Sequence, residues 1–244
     1  MLASADPTVL THESVDPGGA ARWWSDAALL LWRHPLRWAL LGLVLMAALG
    51  GLAALPHVGT LLAAALTPAL LGGWVLAAQG AQQGRAPGLA QLFAGLRAPH
   101  RRPLLALGVL LAGSTLFIVL AGQALGLGAL LGAVHVDGPE GALAQAQLGR
   151  GMLALLLLLA FSLLVSAALW FAPALVVLRG ESAATALRTS LVAVRDNGLT
   201  FLLYAVVQLL LSALATLPEH VGWLLLVPCM LMTTYVSYWD VFES

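Results

Sequence analysis

Six long apolar runs alternate with shorter polar connections along this chain of 244 residues. Each run contains the roughly 20 mainly apolar residues that a helix needs to cross the hydrocarbon core of a bilayer. The pattern therefore predicts an all-α membrane protein with six transmembrane helices in three hairpins. The predicted spans are 36–55, 58–79, 104–134, 151–178, 199–217 and 221–239.

Three of the polar connections have the period of an amphipathic helix, namely 22–33, 89–96 and 182–195. In the last of these, the apolar stripe consists of Ala183, Leu187, Leu191 and Val194. In 22–33, polar side chains such as Arg22 and Asp26 share one side, and Trp23, Trp24, Leu30 and Leu31 are apolar. Such helices are typical of the headgroup layer of a membrane, although packing on the end of a bundle is the alternative.

Arginine supplies all the positive charge, since the chain has no lysine. Ten of the eleven arginines lie before or at the very start of the first run, between the second and third, or between the fourth and fifth. Positive charge near span ends stays on the cytoplasmic side, so both termini and the amphipathic helices are predicted to be cytoplasmic.

The composition is typical of a GC-rich bacterial genome, which indicates a multi-pass protein of the inner membrane. A net charge of zero argues against a nucleic-acid partner.

The polar first twenty residues contain several helix breakers and no apolar core. We therefore predict a disordered tail over 1–20 and a single six-helix domain over 21–244. Within that domain, one unit consists of an amphipathic segment, a span, an outer turn and a second span. This unit recurs over 22–80, 86–178 and 182–240. Chance resemblance among Leu- and Ala-rich helices is the alternative to a true repeat.

The second span of each unit carries a proline, at Pro68, Pro173 and Pro228. Proline removes a backbone hydrogen bond, so these positions predict helix kinks, either within a packed bundle or around a cavity. The runs have no charged residue or histidine near their centres, which argues against a proton-coupled pump. Gln208 is the strongest candidate for a buried polar contact, and a bond between helices is its favoured role.

The densest basic cluster consists of Arg97, Arg101 and Arg102. We predict that it contacts anionic lipid headgroups at about 1 kcal/mol per charge, although orientation of the spans explains it equally well. From these polar connections we expect the phospholipid bilayer to be the first partner of this chain.

Histidines at three outer turns are the candidates for a metal site. His57, His135 and His220 would bind a transition metal if the turns converge. Surface histidines at turns are common, so we expect no metal and no other cofactor. The sequence has no nucleophile–base motif and no Gly-rich phosphate loop, so we predict no catalytic residue and no enzymatic activity.

Several segments together resemble a known family. They are 66–73, 92–97, the run Trp170-Phe171-Ala172-Pro173-Ala174-Leu175, and 237–242. In this order they resemble a family of uncharacterised bacterial six-span inner-membrane proteins. That family is distantly similar to the membrane domain found beside some glycerophosphodiester phosphodiesterases. The resemblance implies an inner-membrane protein of unknown activity and supplies no catalytic residues.

The lack of buried charge, the amphipathic segments and the basic rim favour a non-enzymatic membrane domain. Such a domain would bind lipids or a protein partner, which includes a second copy of the chain. The alternative is a carrier or channel for a small or lipid-like molecule, with the proline kinks around its cavity.

Overall fold

The computed structural model describes residues 11–125, 141–217 and 222–243, with side chains from residue 151 onwards in the second range. These ranges contain helices and no strand. The helices are α1 (Gly19–Trp32), α2 (Pro35–Ala53), α3 (Gly59–Gln82), α4 (Leu89–Leu92), α5 (Arg101–Ala124), α6 (Gly141–Trp170), α7 (Ala172–Arg179), α8 (Ala183–Asp196), α9 (Gly198–Thr216) and α10 (Trp223–Phe242). A 3-10 turn, Ala94–Leu96, follows α4.

Six stretches are long and apolar enough to cross a membrane, and this confirms the predicted fold class. They are α2, α3, α5, the run Gly151–Arg179 that contains most of α6 and all of α7, α9 and α10. The fourth span, Gly151–Arg179, agrees with its predicted bounds to within one residue, although its first helix already begins at Gly141 and breaks after Trp170. The third span is described only as far as residue 125, so its predicted extension to 134 lies outside the described residues.

The central span is α3, since 56% of its apolar window is buried against 11% to 22% for α2, α5, α6–α7 and α9. Small residues let its neighbours approach closely. A Cβ at Gly73 would lie 1.9 Å from the carbonyl oxygen of Leu92, and one at Gly108 would lie 1.8 Å from the carbonyl oxygen of Ala65. Both contacts require glycine, so α4 and α5 pack backbone to backbone against α3.

All three repeat prolines are buried, but only one of them interrupts its helix. The helices α3 and α10 continue through Pro68 and Pro228. Pro228 packs against α2, where a Cβ at Gly42 would lie 2.8 Å from the proline ring. By contrast, α6 ends before Phe171 and α7 begins after it, so the kink predicted at Pro173 is a full break.

The amphipathic segments form helices, and the buried face of α1 is the predicted one. Trp23, Trp24, Leu30 and Leu31 are all buried, and they pack against α9 and α10. The predicted segment 89–96 forms the short α4 and the 3-10 turn that follows it. Their location in the headgroup layer stays a prediction.

For α8, the face that packs inward is not the apolar stripe. Its buried residues are Ala186, Thr189, Ser190 and Ala193. The predicted stripe, Ala183, Leu187, Leu191 and Val194, is only half-buried. The small face packs inward because it allows close approach and because the Ser190 hydroxyl bonds to the backbone of α6.

Residues 11–18 form a segment, which we call the N-terminal strap, that is bound to the ends of α9 and α10. The Glu13 N–H donates to the Val241 carbonyl oxygen at 2.8 Å, and the Val15 N–H donates to Asn197 Oδ1 at 2.6 Å. The sequence predicted a disordered tail here, so that expectation is corrected for the strap and the start of α1. The first ten residues lie outside the described part.

Candidate functional site

A groove of about 670 Å³ lies between α6 and α9. Leu163 of α6 and Leu202 and Leu209 of α9 form part of its walls, and their exposed fractions are 62%, 61% and 70%. Because these residues belong to membrane-spanning helices, this exposure indicates contact with lipid. The groove therefore opens sideways into the bilayer, and its volume is in the ~300–1,000 Å³ range of small-molecule sites.

The floor of the groove carries a line of hydrogen bonds centred on Gln208. Its Nε2 donates to Ser212 Oγ at 3.1 Å and to Met230 Sδ at 2.9 Å, while its Oε1 accepts from the Tyr204 hydroxyl at 3.3 Å. The Tyr204 and Thr233 hydroxyl oxygens are 2.8 Å apart. The bonds to Met230 and Thr233 connect α9 with α10, and the one from Gln208 to Met230 is the kind of contact between helices that the sequence favoured for Gln208.

An aromatic cluster closes the end of the groove that lies towards α7. The indole ring of Trp170 contacts Phe201 and Tyr204 edge-on, with ring centroids 5.3 and 5.2 Å apart. Its Nε1 donates to Ser237 Oγ at 3.2 Å. Trp170 therefore fixes the position of α9 relative to α6 and α10, and this spacing leaves the groove open.

The break between α6 and α7 is held by Ser190, which sequence reasoning missed. The Phe171 N–H donates to Ser190 Oγ at 3.0 Å, and Ser190 Oγ donates to the Ala167 carbonyl oxygen at 2.7 Å. In a continuous helix, Phe171 would bond directly to Ala167. The serine hydroxyl therefore bridges an opened helical bond, and a proline followed by a buried Ser in the next helix is the sequence signal that could have indicated it.

Arg195 lines the groove at the end of α8, close to the strap. Its Nε donates to Asp196 Oδ1 at 3.0 Å, and His12 Nε2 lies 3.0 Å from Asp196 Oδ2. Burial of Asp196 opposes ionisation, but the hydrogen bonds from His12 and Arg195 outweigh it and lower the pKa of this carboxyl. The groove thus has the Arg195 guanidinium at one end, and most of the surface of the Arg195 side chain is accessible to solvent or to a ligand.

The other residues predicted from the sequence lie outside this groove. Arg97, Arg101 and Arg102 are exposed around the start of α5, and none of them forms an ion pair with another described residue. The three repeat prolines line neither the groove nor the cavities between α1 and its neighbours.

The proposed histidine cluster is only partly described. His57 is exposed at the turn between α2 and α3, whereas His135 and His220 lie outside the described residues. Within the described ranges, no group of three His, Cys, Asp or Glu residues could hold a metal ion.

Comparison with known proteins identifies the family to which the chain belongs. No curated protein and no solved structure matches it. The family model described as a domain of unknown function, DUF7847, matches residues 34–241. This match begins at the entry to α2 and reaches the last turn of α10, so it covers all six spans and leaves the strap and α1 outside. The chain belongs to the DUF7847 family, a domain of unknown function.

Proposed function

We propose that the protein is a non-enzymatic membrane domain that binds a phospholipid in the groove between α6 and α9. The observation that carries this proposal is a lateral apolar groove with a guanidinium, Arg195, at one end. A phospholipid has the matching parts, since its acyl chain needs an apolar surface and its phosphate pairs well with Arg. The similarity to the membrane domain beside glycerophosphodiester phosphodiesterases stays a prediction, because the family description names no activity.

The polar side chains on the floor of the groove do not prevent an apolar acyl chain from binding there. Both the amide nitrogen and the amide oxygen of Gln208 already have partners within the protein. Covering a hydrogen-bonded polar group with apolar atoms avoids the cost of about 1–3 kcal/mol for an unsatisfied one. An acyl chain can therefore lie along the floor without breaking any bond in it.

The location of Arg195 orients the bound lipid. It follows the fourth span together with Arg179 and Arg188, and arginines at such positions favour the cytoplasmic side. We therefore propose that the lipid belongs to the cytoplasmic leaflet of a bacterial inner membrane, with both termini of the chain on that same side.

A matched pair of substitutions tests the groove. Ala205 lines the groove, whereas Ala213 is exposed on the same helix and does not line it. Native mass spectrometry of the protein in mild detergent should show less bound phospholipid per molecule in Ala205→Trp, because the indole fills the groove. Ala213→Trp should retain as much as the wild type. Equal retention in both variants would refute lipid binding at this site.

A carrier for a lipid-like molecule is the second candidate function. The specific observation that favours it is the presence of polar side chains, Ser166, Gln208 and Ser212, among the groove residues of both spans. A carrier would move a fluorescent phospholipid between the leaflets of protein-containing vesicles, and Gln208→Leu would slow that movement. Movement no faster than in protein-free vesicles would leave static binding as the function.

A further inference from the structure

A second cavity, of about 400 Å³, lies between α1, the end of α3 and the last turns of α10. It shares no lining residue with the groove. Its polar lining consists of Arg22, Asp26, Arg33, Gln82, Tyr235 and Asp240. Arg22, Asp26 and Arg33 precede residue 34, so this part of the cavity lies outside the range of the family match.

Part of the polar lining is already paired within the protein. Arg22 Nη1 lies 2.7 Å from Asp16 Oδ2, and Arg22 Nη2 lies 3.8 Å from Asp240 Oδ2. Asp240 also accepts a hydrogen bond of 2.7 Å from Trp23 Nε1. These contacts join α1, α10 and the strap into a preformed wall.

Two ionised side chains remain available to a ligand. Asp26 and Arg33 form no ion pair or hydrogen bond with another described residue, and they line the cavity from α1 and from the residue that directly follows it. They are seven positions apart, which places them on one face of the helix at about 10 Å along its axis.

We propose that this cavity binds a zwitterionic phosphodiester that carries a primary ammonium group, such as a phosphoethanolamine headgroup. The Arg33 guanidinium pairs with the phosphate and the Asp26 carboxylate pairs with the ammonium group. Charge-assisted contacts of this kind are about 2.8 Å long, so two of them leave room along α1 for the short ethanolamine link.

The charge balance of the lining selects against a plain anion. Arg22 and Arg33 are matched by Asp26 and Asp240 in the lining, and Asp16 adds a third carboxylate beside Arg22, so the site has no excess of positive charge. A ligand without net charge leaves this balance unchanged, whereas an anion would face the carboxylates. Leu29, which is 66% exposed, also lines the cavity and offers an apolar surface beside it for the chains of a lipid.

The test compares three probes on the full chain in mild detergent by isothermal titration calorimetry. They are dihexanoyl phosphatidylethanolamine, dihexanoyl phosphatidylglycerol, which is anionic and has the same chains, and glycerophosphoethanolamine, which has no chains. We expect the ethanolamine lipid to bind at least tenfold more tightly than the glycerol lipid. Binding of glycerophosphoethanolamine at similar strength would assign the site to a soluble ligand, and binding that needs the chains would assign it to a lipid.

Two variants locate the effect. Arg33→Gln should weaken binding of the ethanolamine lipid about tenfold, and Asp26→Asn should abolish its advantage over the glycerol lipid. Arg37→Gln is the matched control, since Arg37 is exposed and does not line the cavity. Equal affinities of the wild type for the two lipids, or equal effects of Arg33→Gln and Arg37→Gln, would overturn the proposal.

Ala205→Trp keeps this proposal separate from the lateral groove. That substitution fills the groove only, so preference for the ethanolamine lipid should survive it even if lipid retention in the groove is lost. Loss of the preference in Ala205→Trp would place the ligand in the groove and overturn the second site. Thermal unfolding of Asp26→Asn and Arg33→Gln should match that of the wild type, because both side chains are exposed.

Discussion

The Ser190 hydroxyl occupies the gap in the hydrogen bonding between α6 and α7, and we expect Ser190→Ala to destabilise the protein. The substitution leaves the Phe171 N–H and the Ala167 carbonyl oxygen without their partner. Ser190 is fully buried, so water does not readily replace the hydroxyl. The side chain that is lost is small, which makes these two bonds the main contribution to the change.

Two magnitudes bound the size of the effect. A buried polar group left unsatisfied costs about 1–3 kcal/mol in soluble proteins. Hydrogen bonds between membrane helices contribute less, ~0.6 kcal/mol on average. With two bonds lost, we expect a decrease of about 2 kcal/mol in the free energy of unfolding, which lowers the ratio of folded to unfolded protein roughly 30-fold.

The assay is reversible unfolding in mixed micelles, followed by tryptophan fluorescence. Ser114→Ala is the matched control, because Ser114 is also buried but donates only to the Leu110 carbonyl oxygen of its own helix, at 2.9 Å. That carbonyl belongs to the interior of α5, so the control should cost less than ~0.5 kcal/mol. Equal losses in the two variants would refute the bridging role of Ser190.

Three further predictions concern packing and the strap. Gly108→Ala puts a methyl group against a carbonyl oxygen of α3, so we expect a large drop in melting temperature, whereas Gly113→Ala, whose added Cβ meets nothing within 4 Å, should melt as the wild type does. Asn197→Ala removes two side-chain bonds to the strap, so amide exchange in the strap should rise at least tenfold, and unchanged exchange would contradict its docking. The hydrogen bond from Arg22 lowers the pKa of Asp16 below 3.8, so this stabilisation is present above that value and is lost as pH falls through the lowered pKa. Protection of the strap amides, which is the exchange rate corrected for its intrinsic pH dependence, should therefore fall only in that acidic range, and a fall confined to the region near pH 6 would argue against this ion pair.

The six spans and the buried face of α1 could be predicted because their signals are local. Length and apolar content define a span, and in α1 the tryptophans mark a side that packs against other helices. The line of bonds around Gln208 was also foreseeable in kind, since a buried amide needs a partner. Its partners on α10 depend on how the helices cross, which a single sequence does not contain.

The buried face of α8 and the groove could not be predicted for a physical reason. In water, an apolar stripe identifies the face that packs inward, but beside a membrane that stripe can face lipid equally well. Leu187 and Leu191 are therefore poor guides, and the small side chains of Ala186 and Ala193 decide the packing. The groove likewise arises from the spacing between α6 and α9, not from any motif in either helix.

Pro173 and Ser190 form one structural device, and this leads to a final prediction. Pro173 has no N–H for the Leu169 carbonyl oxygen and crowds it, so it opens the helix where the Ser190 hydroxyl enters. In Pro173→Ala the helix can close and bond Phe171 directly to Ala167, so Ser190 becomes dispensable. Ser190→Ala should then cost about 1 kcal/mol less in the Pro173→Ala background than in the wild type, measured as a double-mutant cycle. Additive losses would show that the two residues act independently and that another contact holds the break open.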